Sequence, residues 1–232
     1  MGKSTKIGIA VVAVAVLAVF GAIISGNSAR EKGISGYSEW EYIEGNEYNG
    51  NIADHYIGNK DAKVKVIEYA DYQCSACAIV YPYLHEVVEE YGDKIALIFR
   101  TYVLSYHQNG TAAATAANAA GLQGYWEEYA NLLFVNQNEW AESEGTDRDD
   151  LLSGYLETAS EGKADLNKFR EDMKSSAIKD KISFDRSLGN RINLSATPTI
   201  FINKEKYDIK STKESEIKAS LKEMIDAALE KE

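Results

Sequence analysis

The alternation of apolar and polar residues predicts a strand and, directly after it, a helix. Val64, Val66 and Glu68 fall on one face of the strand, because side chains alternate between its two faces. Further on, the apolar positions follow helical spacing at Ile79, Val80, Tyr83, Leu84, Val87, Val88 and Tyr91. The run Ile95–Phe99 predicts a second buried strand. This strand–helix–strand order predicts that the two strands are parallel.

The rest of the chain combines a long helical block with a short hairpin. From about 108 to 192 the pattern is helical, with several polar positions suited to capping helices. Thr199–Ile202 then predicts a strand, Asn203–Lys206 a turn, and Tyr207–Ile209 a strand that pairs back. The final helix carries one apolar stripe, formed by Ile217, Leu221, Met224, Ile225 and Leu229.

The N-terminal segment has the pattern of a membrane anchor. Residues 7–24 carry no charge and, at about 1.5 Å per residue, would extend about 27 Å as a helix, nearly a bilayer core. Two lysines precede this run, so we expect residues 1–6 to be cytoplasmic and the remainder to face outward. We predict an uncleaved transmembrane anchor. The alternative is a cleaved signal peptide, whose apolar region is usually shorter.

Residues 25–60 are predicted to form a stalk, and the folded domain is predicted to span 61–232. The stalk is rich in Gly, Asn, Tyr and Glu and shows no sustained periodicity. Its aromatic residues could still dock part of it onto the domain; they are Trp40, Tyr42 and Tyr48. We interpret His55, at the end of the stalk, as a solvated surface histidine.

Charge and cysteine content narrow the classes of function. The 232 residues include 25 basic and 36 acidic side chains, and the net charge of -11 argues against a nucleic-acid partner. Metal binding is not expected either, because neither His85 nor His107 shows the paired short spacings of zinc ligands. The two cysteines, three positions apart, would close a very small loop. Such a disulfide would contribute well under the roughly 3 kcal/mol expected of a 15-residue loop, so a structural role is disfavoured.

The cysteines instead stand where redox chemistry is favoured. Cys74 and Cys77 occupy the junction between the first strand and its helix, separated by Ser75 and Ala76. Free N–H groups and the positive end of the helix dipole stabilise a thiolate at such a junction. The effect fades within the first turn, so we expect Cys74 to be the low-pKa thiol and Cys77 the second thiol of a reversible disulfide.

The order of these elements resembles the DsbA-like thiol–disulfide oxidoreductases, most closely their membrane-anchored or Gram-positive branch. The resemblance covers roughly 61–232. The features that carry it are Glu68 six residues before the first cysteine, Cys74-Ser75-Ala76-Cys77, Pro82, Thr197-Pro198, Phe99-Arg100-Thr101-Tyr102 followed by His107, and Tyr125-Trp126-Glu127. It implies a thioredoxin-like α/β fold with an inserted all-helical subdomain over about 108–192, here preceded by the predicted transmembrane helix.

The resemblance also implies roles for individual residues. Cys74 would be the exposed nucleophile and Cys77 the buried resolving thiol. Thr197 and a cis-Pro198 would face the pair, with Thr197 backbone groups holding a substrate strand. Glu68 would be a buried carboxylate that aids proton transfer from Cys77, and no cofactor would be needed. Ser75-Ala76 departs from the Pro-His dipeptide of the most oxidising members.

Two local interpretations remain open from the sequence. Glu68 could instead be a structural acid, paired for example with Arg100. The residues Asp71, Tyr72 and Gln73 are interpreted as turn and rim residues rather than catalysts.

The function implied by the resemblance is an extracytoplasmic oxidoreductase that introduces disulfides into exported proteins. Its partners would be reduced exported proteins and a membrane quinone-linked thiol oxidase, DsbB- or VKOR-like, that reoxidises the cysteine pair. A reductase or isomerase on the same fold is the first alternative. A membrane-tethered binding module with a non-catalytic Cys-x-x-Cys is the second.

Overall fold

The computed structural model describes residues 34–232. The predicted cytoplasmic tail over 1–6, the anchor over 7–24 and the first part of the stalk lie outside the described residues. Within 34–232, no helix combines the length and the apolar character needed to cross a membrane.

A five-stranded sheet forms the centre of the fold. Its strands are β1 (His55–Gly58), β2 (Val64–Ala70), β3 (Ile95–Thr101), β4 (Thr199–Ile202) and β5 (Glu205–Tyr207). They lie side by side in the order β1-β3-β2-β4-β5. Strands β2 and β3 are parallel, as their strand–helix–strand order predicts, and every other pair is antiparallel. The C-terminal hairpin is confirmed, but β5 begins two residues before the predicted Tyr207.

The α-helices that lie wholly within residues 34–232 divide into two that cover the sheet and six that form the insertion. Helix α1 (Ser75–Tyr91) joins the two parallel strands, and the C-terminal helix is α8 (Glu214–Leu229). Between β3 and β4 lie α2 (Gly110–Gly121), α3 (Trp126–Val135), α4 (Gln137–Trp140), α5 (Gly145–Ala159), α6 (Leu166–Asp172) and α7 (Ser176–Arg191). The predicted helical insertion over about 108–192 therefore agrees with the fold.

Two apolar clusters hold these layers together. In one, α1 and α8 pack against the sheet through residues such as Leu84, Val66 and Leu221. In the other, the insertion packs around Tyr72 and Phe99 and encloses both cysteines. Full burial of one such aliphatic side chain stabilises the fold by about 1.5–3 kcal/mol. The redox motif consequently lies where the insertion meets the sheet.

The prediction of a stalk over 25–60 is wrong for its C-terminal part, because these residues form a strand of the sheet or pack against the sheet. Strand β1 lies within it and pairs with β3. Trp40 packs edge-on against Phe201 of β4, with ring centroids 4.9 Å apart, so the docking that the sequence allowed for this aromatic residue is confirmed. Arg100 donates hydrogen bonds to the carbonyl oxygens of Glu39 and Glu41. The folded part therefore begins well before Asp61.

A buried charge network explains why this segment is bound. Arg100 and Asp54 form an ion pair of 2.7 Å in which both side chains are fully buried. Lys181, also fully buried, contacts Asp54 and Asp185 at 2.7 Å each. An unpaired charge at such depth would cost several kcal/mol, so Asp54 fixes the N-terminal segment against β3 and α7.

The interpretation of His55 as a solvated histidine is also wrong. Its ring stacks on Trp126, with centroids 4.8 Å apart, and its Nε2 lies 3.1 Å from Oδ1 of Asn118. Burial lowers the pKa of His55 to about 3, so the ring is a neutral component of the packing between β1 and the insertion.

Candidate redox site

Cys74 lies at the first position before helix α1, as its sequence position predicts. Its backbone N–H donates to the carbonyl of Asp71 at 2.9 Å, and its own carbonyl accepts from the N–H of Ala78 at 3.1 Å. These two bonds close the turn after β2 and start the helix at Ser75. The side chain of Cys74 therefore stands at the end of the helix where N–H groups are unpaired.

The two thiols have opposite electrostatic environments. The pKa of Cys74 is lowered to about 5, chiefly because the Cys77 thiol donates a hydrogen bond to it. Burial of Cys74 opposes this effect, whereas hydrogen bonds from the Thr197 side chain and from the backbone N–H groups of Cys77 and Ala76 lower the pKa further. Burial raises the pKa of Cys77 well above its usual value, and the hydrogen bond to Cys74 raises it further. At neutral pH the site thus holds one thiolate and one thiol.

Cys74 is more buried than the exposed nucleophile that the resemblance implies. Cys74 exposes 8% of its surface and Cys77 none. Ser75 and Ala76 are exposed beside the opening and bring no charged group to the cysteines. An attacking group can therefore reach the Cys74 sulfur only, which is the division of roles that the resemblance implies.

Thr197 and Pro198 come to the cysteines from the far end of the chain. The Thr197–Pro198 peptide bond is cis, as predicted. The carbonyl oxygen of Thr197 lies 3.3 Å from Sγ of Cys74 and accepts a hydrogen bond from the protonated thiol. Thr197 is largely buried, whereas Pro198 is half-buried at the entrance to β4.

Glu68 lies inside the sheet beneath the pair. It is fully buried, and neither of its carboxyl oxygens has a hydrogen-bond partner among residues 34–232. Its neighbours across the sheet, Phe99 and Ile200, are apolar. Burial raises the pKa of Glu68 to about 8. The alternative in which Glu68 pairs with Arg100 is wrong, because Arg100 pairs with Asp54.

Asp71 is buried and connects two loops, so its structural role is larger than that of the rim residue predicted from the sequence. Its buried carboxylate accepts hydrogen bonds from the N–H groups of Gln73 and Leu104, at 3.0 and 2.8 Å. It also contacts Nδ1 of His107 at 2.7 Å. One side chain thereby joins the redox turn to the loop after β3. Tyr72 is buried as well, and its hydroxyl accepts from Nε1 of Trp126 at 3.0 Å.

Two amide side chains that the sequence did not single out as functional fix the redox turn to the insertion. Gln137 donates through Nε2 to the carbonyls of Tyr72 and Cys74, at 2.7 and 3.1 Å. Gln73 donates to the carbonyl of Ala141 at 2.8 Å and accepts from the N–H of Asn109 at 2.7 Å. No periodicity marks these contacts, because each depends on where the insertion meets the turn.

The two histidines considered as metal ligands lie in different environments. His107 contacts Asp71. The ring of His85 packs against that of Tyr81 along α1, with centroids 3.7 Å apart and ring planes tilted by 37°. Within the part of the chain that the structure describes, no three His, Cys, Asp or Glu side chains are grouped to hold a metal ion.

Comparison with known proteins gives the same fold. A family model described as "Thioredoxin" matches residues 50–227. The "Probable disulfide bond formation protein D" of Bacillus cereus is 28% identical over 166 residues, which is 69% of this chain and 74% of that protein. The crystal structure of oxidised BdbD from Bacillus subtilis superimposes with a TM-score of 0.63 at 21% identity, covering 82% of this chain and 99% of the other.

Other relatives are much longer proteins. The Na(+)/H(+) antiporter NhaA 1 of Mycolicibacterium gilvum is 30% identical over 159 residues. That match covers 66% of this chain but only 24% of the antiporter, so the chain spans about a quarter of such relatives. Since the family model covers well over half of the described residues, the chain belongs to the thioredoxin family, and its resemblance to the DsbA-like thiol–disulfide oxidoreductases is confirmed.

Proposed function

We propose that this protein is a thiol–disulfide oxidoreductase that introduces disulfide bonds into exported proteins through Cys74 and Cys77. The observation that carries the proposal is the opposite shift of the two thiol pKa values, that of Cys74 to about 5 and that of Cys77 well above its usual value. The Cys74 sulfur is thus a good leaving group, and the Cys77 sulfur holds a proton. A binding module with an incidental Cys-x-x-Cys has no need of this difference.

In the oxidising direction, a substrate thiolate attacks Sγ of Cys74 in the Cys74–Cys77 disulfide. The bond between the cysteines breaks, and the electron pair goes to Cys77, which takes a proton from Glu68. A second substrate thiolate then attacks the substrate sulfur of the mixed disulfide. A disulfide forms in the substrate, and Cys74 leaves as a thiolate stabilised by its hydrogen bonds. The substrate loses two electrons, and the cysteine pair gains them.

The direction of exchange depends on the reduction potential of the pair. Stabilising the Cys74 thiolate favours the reduced form and makes the disulfide a stronger oxidant. Because Ser75 and Ala76 add no cationic group, we expect a milder oxidant than DsbA, whose potential is about -120 mV. Thioredoxin, a reductant, lies near -270 mV, and we place this protein between the two.

The proposed location and partners follow from the sequence of the N-terminal segment. Residues 7–24 would anchor the chain, with the redox domain outside the cytoplasm, where disulfides persist. A DsbB- or VKOR-like quinone-linked oxidase would return the pair to its disulfide form. Protease added to intact spheroplasts should digest the redox domain of the full chain. Complete protection of that domain would contradict the proposed topology.

The deciding experiment combines a potential with a trapping assay. Equilibration with glutathione should give a potential between those of thioredoxin and DsbA, and the oxidised protein should oxidise a reduced test substrate. Cys77→Ala should accumulate mixed disulfides with client proteins, whereas the matched Cys74→Ala should accumulate few. A potential at or below that of thioredoxin, without substrate oxidation, would favour the reductase. Absence of mixed disulfides from both variants would favour the binding module.

A further inference from the structure

A surface groove of about 600 Å³ lies between three helices of the insertion, α2, α5 and α6. This volume is within the range of about 300–1,000 Å³ that ligand pockets occupy. Ala112 and Met173 give the groove apolar surface and pack against the buried cluster of the insertion. We call it the insertion groove, and the polar side chains that line it include those of Thr111, Thr115, Arg148, Ser153, Arg170 and Lys174. It therefore offers a ligand apolar contact as well as polar partners.

The charged residues of the insertion groove leave an excess of positive charge. Among residues 34–232, neither Arg170 nor Lys174 has an ion-pair partner. Asp149 is bound by Arg148 at 2.7 Å, and Asp150 is the other carboxylate of the groove, also without an ion-pair partner in this range. Two unpaired cations thus face one unpaired carboxylate, whereas the whole chain has a net charge of -11. The groove is complementary to an acidic ligand on a protein whose overall charge repels one.

The uncharged groups of the insertion groove favour an acidic polypeptide segment over a small inorganic anion. The hydroxyls of Thr115 and Ser153 donate to the carbonyls of Thr111 and Asp149 in their own helices, at 2.7 and 2.9 Å. Their oxygens keep lone pairs that accept hydrogen bonds from N–H groups, which a peptide backbone carries and inorganic phosphate lacks. The flexible thioether of Met173 adapts to side chains of different shapes. A peptide therefore uses groups of the groove that a small anion leaves unused.

The insertion groove lies next to the redox turn. Arg148 donates to the side-chain oxygen of Asn109 at 3.1 Å, and the backbone N–H of Asn109 donates to Oε1 of Gln73 at 2.7 Å. Gln73 directly precedes Cys74, so one residue, Asn109, contacts both a side chain of the groove and the turn that carries the nucleophile. Each residue of an extended chain spans about 3.3–3.6 Å. A polypeptide held at Cys74 therefore reaches the insertion groove within a few residues.

We propose that the insertion groove binds an acidic segment of the client protein while a cysteine of the same client reacts at Cys74. The proposal rests on the proposed function and names a class of client, which is reduced exported chains with Asp or Glu residues near the reactive cysteine. Arg170 and Lys174 determine this specificity, because their unpaired charges contact the carboxylates of the segment. Since the groove and Cys74 hold one chain, binding at the groove raises the effective concentration of the client thiol at Cys74.

Three reduced peptides test the proposal. Each carries two cysteines, a flexible linker of Gly and Ser, and a terminal block made of Asp and Glu, of Asn and Gln, or of Lys. The full chain in its disulfide form oxidises them, and the second-order rate constant is measured at low salt. We expect the acidic peptide to exceed the neutral one by about two- to tenfold, because exposed ion pairs are individually weak. The net charge of the chain alone gives the opposite order, so a smaller rate constant for the acidic peptide would overturn the proposal.

Reversing the charge of the insertion groove should reverse the preference. In the double variant Arg170→Glu with Lys174→Glu, we expect the ratio of the acidic to the neutral rate constant to fall below one and the Lys peptide to become the fastest. Both residues are exposed, so the variant should fold. The matched control is Lys204→Glu with Lys206→Glu, which changes the net charge equally at exposed positions of the β4–β5 hairpin and should keep the acidic peptide ahead of the neutral one. An equal fall of the ratio in both variants, or in neither, would overturn the proposal.

A binding measurement separates this proposal from the proposed function. A labelled acidic peptide without cysteines should bind the full chain, as read by fluorescence anisotropy. The binding should weaken as salt rises toward 1 M, where the Debye length is about 3 Å, and Arg170→Glu with Lys174→Glu should abolish it. Binding of anionic lipid vesicles through the groove, without binding of this peptide, would overturn the proposal. Failure to oxidise any of the three cysteine peptides would contradict the proposed function instead, because the binding measurement needs no redox chemistry.

Discussion

The sulfur of Cys74 lies 3.3 Å from the carbonyl oxygen of Thr197, a residue 123 positions later in the chain. This contact places the strand entrance at Pro198 directly against the nucleophile. Since Cys77 and the N–H groups of the first helical turn also form hydrogen bonds to Cys74, two segments distant in sequence contact the reactive sulfur. The reactivity of the Cys74 sulfur therefore depends on hydrogen bonds from both segments.

Replacing Cys77 should raise the pKa of the Cys74 thiol. The hydrogen bond from the Cys77 thiol is the largest cause of the lowered value of about 5. We expect Cys77→Ala to raise the pKa by about one unit or more, since one unit corresponds to about 1.4 kcal/mol and a hydrogen bond to a charged group contributes about 1.5–3 kcal/mol. Ultraviolet absorbance of the thiolate against pH measures it. Cys77→Ser keeps a donor and should show a smaller shift, and equal shifts in both variants would contradict this cause.

Glu68 should make the reduced protein less stable as the pH rises. Its pKa of about 8 in the folded protein lies above the ordinary value of 4.5, so folding favours the protonated form. The associated stability is fully present below pH 4.5 and is lost as the pH rises through 8, by up to about 5 kcal/mol.

This prediction is measured by urea unfolding at a series of pH values. Glu68→Gln should remove the loss between pH 4.5 and 8, because a neutral amide carries no charge at either limit. The exposed Glu223→Gln serves as the control and should retain the wild-type profile. A wild-type profile in Glu68→Gln would show that another group causes the loss.

Breaking the buried charge network should destabilise the whole domain. Asp54→Asn leaves Arg100 without its ion-pair partner and Lys181 with Asp185 alone. We expect a loss of about 3–5 kcal/mol in the free energy of unfolding. Lys163→Ala removes an exposed pair with Glu161 and should cost no more than about 1 kcal/mol. Similar losses in both variants would contradict a special role for the buried pair.

Removing the Gln137 side chain should loosen the redox turn. Gln137→Ala leaves the carbonyls of Tyr72 and Cys74 without their amide donor, and each lost bond is worth about 1 kcal/mol. We expect faster amide hydrogen exchange in the turn over 71–77, while the strands keep their protection. Gln123→Ala is the matched control, because Gln123 bonds the backbone of Asp165 away from the cysteines. Unchanged exchange in the turn would contradict the role of Gln137.

The sequence by itself determined the features that depend on near neighbours in the chain. Cys74 and Cys77 are one helical turn apart, and the apolar periods of two and 3.6 around them predict the strand and the helix that they join. The same local patterns predict the parallel pair and the C-terminal hairpin. Family resemblance added Thr197 and the cis-Pro198.

Only the tertiary structure determined which charged and amide side chains contact one another. Arg100 pairs with Asp54, 46 positions away, rather than with Glu68, and Gln137 contacts Cys74 across 63 positions. His55 and Asp54 occupy a segment without periodicity, so their burial could not be inferred from pattern. The physical reason is that a hydrogen bond or ion pair depends on distances of about 3 Å, which the sequence does not specify between segments that meet only after folding.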